Sequence, residues 1–288
     1  MFLIVGVIIV LVSVMGGYLA NGGHIDILFQ PFELMIIVGA ALGAFVIGNP
    51  KTVLMGALKS FGKLLKGSKY KKESYVELLC MLNATFKLAK TKGAMALEAH
   101  IERPEESALF QRFPLFAKDH HAVEFFCDFM RMLVMGADSA HEIEALMDQR
   151  IDVHHHEEME IAGAIQNTAD AMPALGIVAA VLGVIHTMGS ITEPPAVLGH
   201  LIGGALVGTF MGIWLSYGFI APIAQSLKAV SDDEVKYLIC LKSGIIAYIQ
   251  GYAPIMAVES ARMVLKSHNQ PSFQDIEAAI EATPPIAA

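Results

Sequence analysis

The chain has 288 residues, of which 55% are hydrophobic and only 17% charged, where an average soluble domain carries roughly 25% charged residues. Its mean hydropathy is +0.54 and its formal net charge −8, which excludes a disordered chain, collagen and rod-like coiled coils and disfavours a nucleic-acid binder, since that needs a basic face. So apolar a chain would also expose sticky surface unless lipid covered it, which argues against an ordinary soluble enzyme.

Four charge-poor blocks predict an all-α polytopic membrane protein with four transmembrane helices and a helical cytoplasmic domain. Phe2 to Ala20 holds no charge, and about 20 apolar residues suffice to cross a bilayer. With no basic segment before it and no small-residue cleavage site after it, this block reads as a retained helix, not a signal peptide. The second span runs from about Phe32 to Leu54 behind Pro31, the third from about Ala171 to Ile191, and the fourth from about Val197 to Gln225. The expected division is thus residues 1–54 for the first two spans, 55–170 for a cytoplasmic helical domain, 171–225 for the last two spans and 226–288 for a cytoplasmic helical tail. The alternating segments that a closed barrel needs are absent.

Basic residues beside the spans set direction. After span two come Lys51, Lys59, Lys63, Lys66, Lys69, Lys71 and Lys72, whereas the other two connections carry no Lys or Arg. The short loops are therefore expected outside, and both chain termini in the cytoplasm.

Within the water-facing blocks, helical spacing predicts helices over Glu73 to Lys92, Ala94 to Glu102 and Ala122 to Met135. Ser139-x-x-Glu142 reads as a capping box that opens a long helix running straight into span three. The tail predicts a helix from about Asp232 to Gly251, another after Pro254, and a last one opened by Ser272-x-x-Asp275 and closed at Thr283-Pro-Pro. Cys80, Cys127 and Cys240 are widely spaced without a C-x-x-C and read as packing thiols in a reducing compartment.

Small residues four apart let helix backbones approach closely in lipid. Span four carries Gly204, Gly208 and Gly212 on one face, and span two has Gly39-x-x-x-Gly43. Two readings stand: packing within one chain, or packing around a partner helix and between copies. Pro173 falls in the expected first turn of span three and Pro222 near the cytoplasmic end of span four. Each reads either as helix punctuation or as half of a paired hinge.

An ion pathway normally needs an ionisable relay, yet no carboxylate lies at the centre of any span. Asp170 and Glu33 sit at span edges, Thr187, Ser190, Thr209 and Ser216 are polar but do not titrate, and His186 and His200 read as interfacial residues. If the chain serves ion flow, a second protein should bring the carboxylate. His154, His155 and His156 beside Glu157, Glu158 and Glu160 look metal-rich, but consecutive helical residues point about 100° apart; this is a solvated face, and no metal site is expected. Phosphate-loop, nucleophile-elbow and zinc-protease motifs are missing, so no enzyme is predicted and no cofactor implied.

Particular words of the sequence carry a resemblance. They include Gly16 to Gly23 (GGYLANGG), Gln30-Pro-Phe-Glu-Leu34, Ser68-Lys-Tyr70 and Glu142-Ile-Glu-Ala-Leu-Met-Asp148. Pro173-Ala-Leu-Gly-Ile-Val-Ala-Ala-Val-Leu-Gly183, Val207-Gly-Thr-Phe-Met-Gly212, Tyr217-Gly-Phe-Ile-Ala-Pro222, Gly251-Tyr-Ala-Pro254 and Gln270-Pro-Ser-Phe273 complete the set. Together they resemble the MotA family of bacterial flagellar stator proteins, within the wider MotA/TolQ/ExbB group, over nearly the whole chain.

The resemblance implies a multi-pass protein of the bacterial inner membrane. It implies a homo-oligomeric, pentameric ring around a MotB-like partner that supplies the membrane aspartate, with ion flow turning the ring against the rotor protein FliG. It assigns Pro173 and Pro222 to ion flow and conformational coupling, with Asp170 at the edge of that path, and makes Thr209 a pore-facing residue. Ala180 stands where sodium-driven relatives carry threonine, which implies the proton as the ion. Lys90 and Glu98 match the rotor-facing charged pair. Here lysine replaces the family's usual arginine, keeping the charge without the planar fork, and Ala99, His100, Gln149 and Arg150 are further local departures. From the residues alone, Lys90 and Glu98 are solvated surface charges. The alternative functional reading is an ExbB/TolQ-like energiser of envelope transport.

Overall fold

The computed structural model describes residues 2–67 and 69–283; Ser68 and the prolines after Thr283 lie outside the described residues. Thirteen α-helices follow in chain order among the described residues: α1 (Phe2–Ala20), α2 (Ile25–Leu28), α3 (Pro31–Gly48), α4 (Lys51–Lys66), α5 (Lys72–Lys92), α6 (Glu98–Glu102), α7 (Pro114–Ala117), α8 (His120–Val134), α9 (Ala140–Met188), α10 (Pro195–Leu215), α11 (Ala221–Ile249), α12 (Pro254–Met263) and α13 (Phe273–Ala282). A single π turn, Ser216–Ile220, joins α10 to α11. No strand occurs among these residues.

Local chemistry explains most boundaries. Pro31 opens α3 at the first helical position, where its missing N–H costs nothing. Span two ends at Gly48, earlier than the expected Leu54, because Pro50 pushes Asn49 to an extended backbone at φ −129° and ψ 142°. The Asn49 side-chain amide then donates to the Phe45 carbonyl at 2.7 Å, pairing one of the carbonyls left over at the helix end. Ala94 to Glu102 is a 3-10 turn over Ala94–Leu97 followed by α6, not one helix. At the start of α13, Ser272 and Asp275 cap each other reciprocally, at 3.0 and 3.2 Å.

One expected continuation is present and one expected break is absent. The capped helix after Ser139 does run unbroken through span three, so Pro173 lies in the interior of the 49-residue α9, not in a first turn. Likewise Pro222 does not stop span four: the chain passes through the π turn and continues as the 29-residue α11, absorbing the separate helix expected from Asp232.

By packing, the chain divides into two units, Met1–Gly67 with Glu157–Val230, and Ser68–His156 with Ser231–Ala288. Among the described residues four helices are long and apolar enough to cross a membrane, and their most apolar stretches fall in the first unit. Its buried clusters are small: Ile37, Ala41, Met172 and Ala179 in one, and Ala57, Leu64, Ala162, Ile165, Ala224 and Leu227 in another. The second unit has a large side-chain core. Leu78, Leu79, Met81, Leu82 and Phe86 of α5 are buried with Phe110, Phe116 and Phe126; the Phe126 ring packs edge to face on the other two at 5.8 and 5.9 Å, and Phe110 and Phe116 are tilted at 5.5 Å. Tyr70 and Tyr237 stack at 4.0 Å, and the Tyr70 hydroxyl donates to Asp119, which also caps α8 through the Ala122 N–H. Burial, reinforced by the Asp119 charge, pushes the Tyr70 hydroxyl pKa far up, so it stays a donor.

Candidate functional site

Residues 171–185 of α9 and 201–227 of α10 and its extension contain no Asp, Glu, Lys, Arg or His. What these helices share is close contact between small residues. A Cβ added at Gly212 would lie 2.7 Å from the Met172 carbonyl and 2.8 Å from the Gly176 Cα; one at Gly176 would lie 2.8 Å from the Gly208 carbonyl. At Gly208 it would meet the Ala180 backbone nitrogen at 3.0 Å. Gly208 and Gly212 thus pack within the chain, backbone to backbone, against Gly176, Ala179 and Ala180. Gly204 faces elsewhere, with its added Cβ 2.7 Å from the Gln30 side-chain nitrogen.

This contact brings several predicted residues together. Ala180, buried, abuts Gly208, the neighbour in sequence of half-buried Thr209. Pro173 lies two positions before Leu175 and one after Met172, whose carbonyl the Gly212 backbone approaches. Asp170 stays exposed, accepting from the Gln166 amide at 2.9 Å. Pro222, exposed, follows the π turn, in which the Ala221 N–H reaches back to the Ser216 carbonyl. A proline has no N–H for an α-helical bond and its ring crowds the carbonyl four residues earlier; the wider turn accommodates it.

One feature escapes a reading by position. Ser216, fully buried, donates its hydroxyl to the Ala169 carbonyl at 2.6 Å. Ala169 is four residues before Pro173, so its carbonyl is the one deprived of a helical donor. Thr168 and Thr187 instead bond carbonyls of their own helix, at Ala164 and Gly183, both at 2.9 Å.

Glu33 is also more enclosed than a span-edge residue. It lines a cavity of about 500 Å³ with Gln30, Thr187, His186, His200 and Gly204, and its Oε2 is buried without a hydrogen-bond partner. A lone carboxylate just inside a helix that opens at Pro31 was the available signal. His186 and His200 are exposed on the chain, and with Glu33 they line this cavity at the end of α9 and the start of α10.

In the other unit, Lys90 lies in the last turn of α5 and Glu98 begins α6; both are exposed. Neither makes an ion pair or side-chain hydrogen bond among the described residues. Other charges of this unit differ: Lys242 is held by Asp148 at 2.8 Å and Glu144 at 3.3 Å, and Arg131 by Glu102 at 2.7 Å and Asp128 at 3.1 Å. His154 packs its ring on His121 at 5.7 Å and His155 approaches Asp232 at 3.9 Å. Among the described residues no three His, Cys, Asp or Glu side chains converge as a metal site.

Comparison with known proteins decides the family. Residues 4–93 match the family described as "Motility protein A N-terminal" and residues 117–239 the "MotA/TolQ/ExbB proton channel family". The chain is 41% identical to Motility protein A of Escherichia coli and 40% to that of Salmonella typhimurium, in each case over 98% of this chain and 96% of the relative. It belongs to the motility protein A family. Chemotaxis protein LafT of Vibrio parahaemolyticus is 35% identical over 94% of this chain and 95% of its own length. The flagellar MotAB stator complex of Bacillus subtilis superposes with a TM-score of 0.74 at 27% identity, over 92% of this chain and 95% of that one. The C. jejuni MotAB structure shares the fold, with a TM-score of 0.76 and 23% identity over 92% and 95% of the two chains. This motility protein A relative is accordingly a flagellar stator proton-channel subunit and an inner-membrane protein.

Proposed function

We propose that copies of this chain form a ring, pentameric by family resemblance, around the membrane helices of a MotB-like protein, and that proton flow through the complex turns the ring against FliG. The observation that carries this reading is the stretch of α9 and α10 without a titrating side chain, joined through glycine contacts. Such a helix pair makes a wall and not a relay. The proton carrier then arrives on the partner as a membrane aspartate.

Neutralising that aspartate in a low-dielectric channel removes a large desolvation penalty, which changes its fit against the wall. By family resemblance Thr209 and Ala180 are the residues assigned to the stretch of wall beside it, Ala180 from within the helix contact where it packs on Gly208, and Pro173 and Pro222 are the places where the wall would bend, with Asp170 at the edge of the path. One charge moving through 100 mV supplies about 2.3 kcal/mol, roughly four times the thermal energy, so even one ion per displacement can bias the direction of turning. Both termini lie in the cytoplasm in this arrangement, which puts Lys90 and Glu98, unpaired among the described residues, on the side of the rotor. Rim charges of this kind steer and register an encounter more than they tighten it, which suits contacts that must release on every step.

The test is reconstitution of the full chain in vesicles with and without the MotB-like partner. Proton flux is expected only with the partner and is lost when the partner's aspartate becomes asparagine. Coupled flux through the chain alone overturns the reading. A gene that restores envelope integrity or iron uptake but never swimming would favour the ExbB/TolQ-like alternative; the match of residues 4–93 to the motility protein A N-terminal family supports the stator.

A further inference from the structure

Two prolines interrupt one bundle, and each leaves a hydrogen-bonding problem that the backbone cannot solve alone. In a bilayer this matters more than in water, because no solvent pairs the freed groups. At Pro173 the missing N–H strips the Ala169 carbonyl of its helical donor. At Pro222 the helix widens, and the Ala221 N–H donates to the Ser216 carbonyl five positions earlier. Both solutions converge on one residue. The main chain of Ser216 accepts the bond of the π turn, and its hydroxyl donates to Ala169 at 2.6 Å. Ser216 and Ala169 are each 0% exposed, so water does not compete for the bond. The glycine contacts at Gly212 and Gly176 bring the two helices close enough for so short a side chain to reach across.

We propose that Ser216 is a positioning residue that ties the two proline turns together, its hydroxyl standing in for the N–H that Pro173 lacks. While the bond is made, the backbone of α9 before Pro173 and the width of the turn before Pro222 are fixed to each other. A change at one proline is therefore felt at the other through a single hydrogen bond instead of through diffuse packing. The coupling role rests on the stator reading above; the bond itself does not.

The experiment separates these two. Pairing carbonyl-labelled alanine with nitrogen-labelled aspartate in the full chain makes two peptide junctions visible, Ala137–Asp138 and Ala169–Asp170. Ser216→Ala is expected to move the Ala169 carbonyl signal and leave that of Ala137, with Ser216→Cys, a weaker donor of similar shape, in between. Ser216→Ala should also shift the unfolding equilibrium of the detergent-solubilised chain on the order of tenfold. Pro173→Ala returns the N–H, so in that background Ser216→Ala should cost little further and move the signal little. Equal effects of Ser216→Ala with and without Pro173 overturn the proposal, because they mark Ser216 as ordinary packing. Swimming supplies the remaining readout: Ser216→Ala should lower it at an unchanged level of membrane-assembled chain, and undiminished swimming overturns the coupling role. If the unaltered chain supports no swimming with any partner, the stator reading fails, while the carbonyl signal and the double variant still decide the bond.

Discussion

The two units of this chain are both helical, yet they are held together by opposite means. In the unit with Ser68–His156 and Ser231–Ala288, bulky side chains are inside: Tyr75, Leu78, Phe86, Phe116 and Phe126 are all nearly inaccessible. On α9 past residue 173 the bulky side chains are outside. Ile177, Val178, Val181, Leu182, Val184 and Ile185 are exposed, and Gly176, Ala179 and Ala180 are inside. Hydrophobic burial drives the first arrangement, since water surrounds the helices. In lipid, tails are as apolar as leucine and that drive vanishes, so close backbone approach decides which face turns inward. Residue size replaces residue polarity as the code for inside.

The contrast is broken most severely at Gly212. Gly212→Leu places a side chain where even a Cβ would be 2.7 Å from one backbone atom and 2.8 Å from another, neither of which can swing away. Loss of folded, membrane-extracted chain and of swimming is expected. Gly199→Leu, on the same helix where an added Cβ meets nothing within 4 Å, is expected to leave both intact. Size-exclusion profiles of the two variants check the pair; a tolerated Gly212→Leu would mean the helices are not closely packed there. In the side-chain core, the damaging change is in the other direction. Phe126→Ala removes a ring wedged between Phe110 and Phe116 and is expected to cost about 3–5 kcal/mol, read as a lower thermal midpoint.

The same contrast accounts for what could be read in advance. Spans are legible because absence of charge is a property of the sequence alone, and the helix from Ser139 through span three was readable because Ser139 and Glu142 mark its start and nothing marks an end before Gly189. The stop at Gly48 was available from Asn49-Pro50 but was hidden by the apolar residues beyond it. The continuation through Pro222 was not available, since a proline that ends a helix and one that widens it look alike until the neighbouring turn is seen. Of the candidate site, the prolines and the glycine ridge stand out by residue type. Ser216 does not: its importance depends on the carbonyl of Ala169, 47 positions earlier, lying within reach. The enclosure of Glu33 likewise depends on helices distant in sequence.

A smaller effect sharpens the comparison by pH. Burial pushes the Cys127 thiol up to about 12 from an ordinary value near 9, against a lesser pull from Arg131. An acid whose pKa is raised by folding favours the folded state while it is protonated. Its contribution is therefore complete below about pH 9 and declines as the pH climbs toward 12. Unfolding followed across this window should show stability falling with pH, with a shallower fall in Cys127→Ala, and alkylation of the native thiol at pH 8 should be slow until denaturant is added. A rapidly alkylated Cys127 in the folded chain would contradict its burial.

The least effect on stability is expected where the proposed rotor contact lies. Lys90 and Glu98 are exposed and unpaired among the described residues, so replacing either changes no buried contact and should alter stability by no more than about 0.5 kcal/mol. Lys90→Glu should nevertheless impair swimming, because it turns an attraction to an acidic rotor group into a repulsion. Truncation in Lys90→Ala removes the attraction alone and should impair less. Reversal of an acidic rotor charge should then restore Lys90→Glu preferentially over Lys90→Ala, since only the former offers the new cation a partner. Swimming measured beside the thermal midpoint separates this from damage to the fold: a lowered midpoint in Lys90→Glu would assign Lys90 to the packing of α5, and full swimming in both Lys90→Glu and Glu98→Lys would remove the pair from the rotor contact.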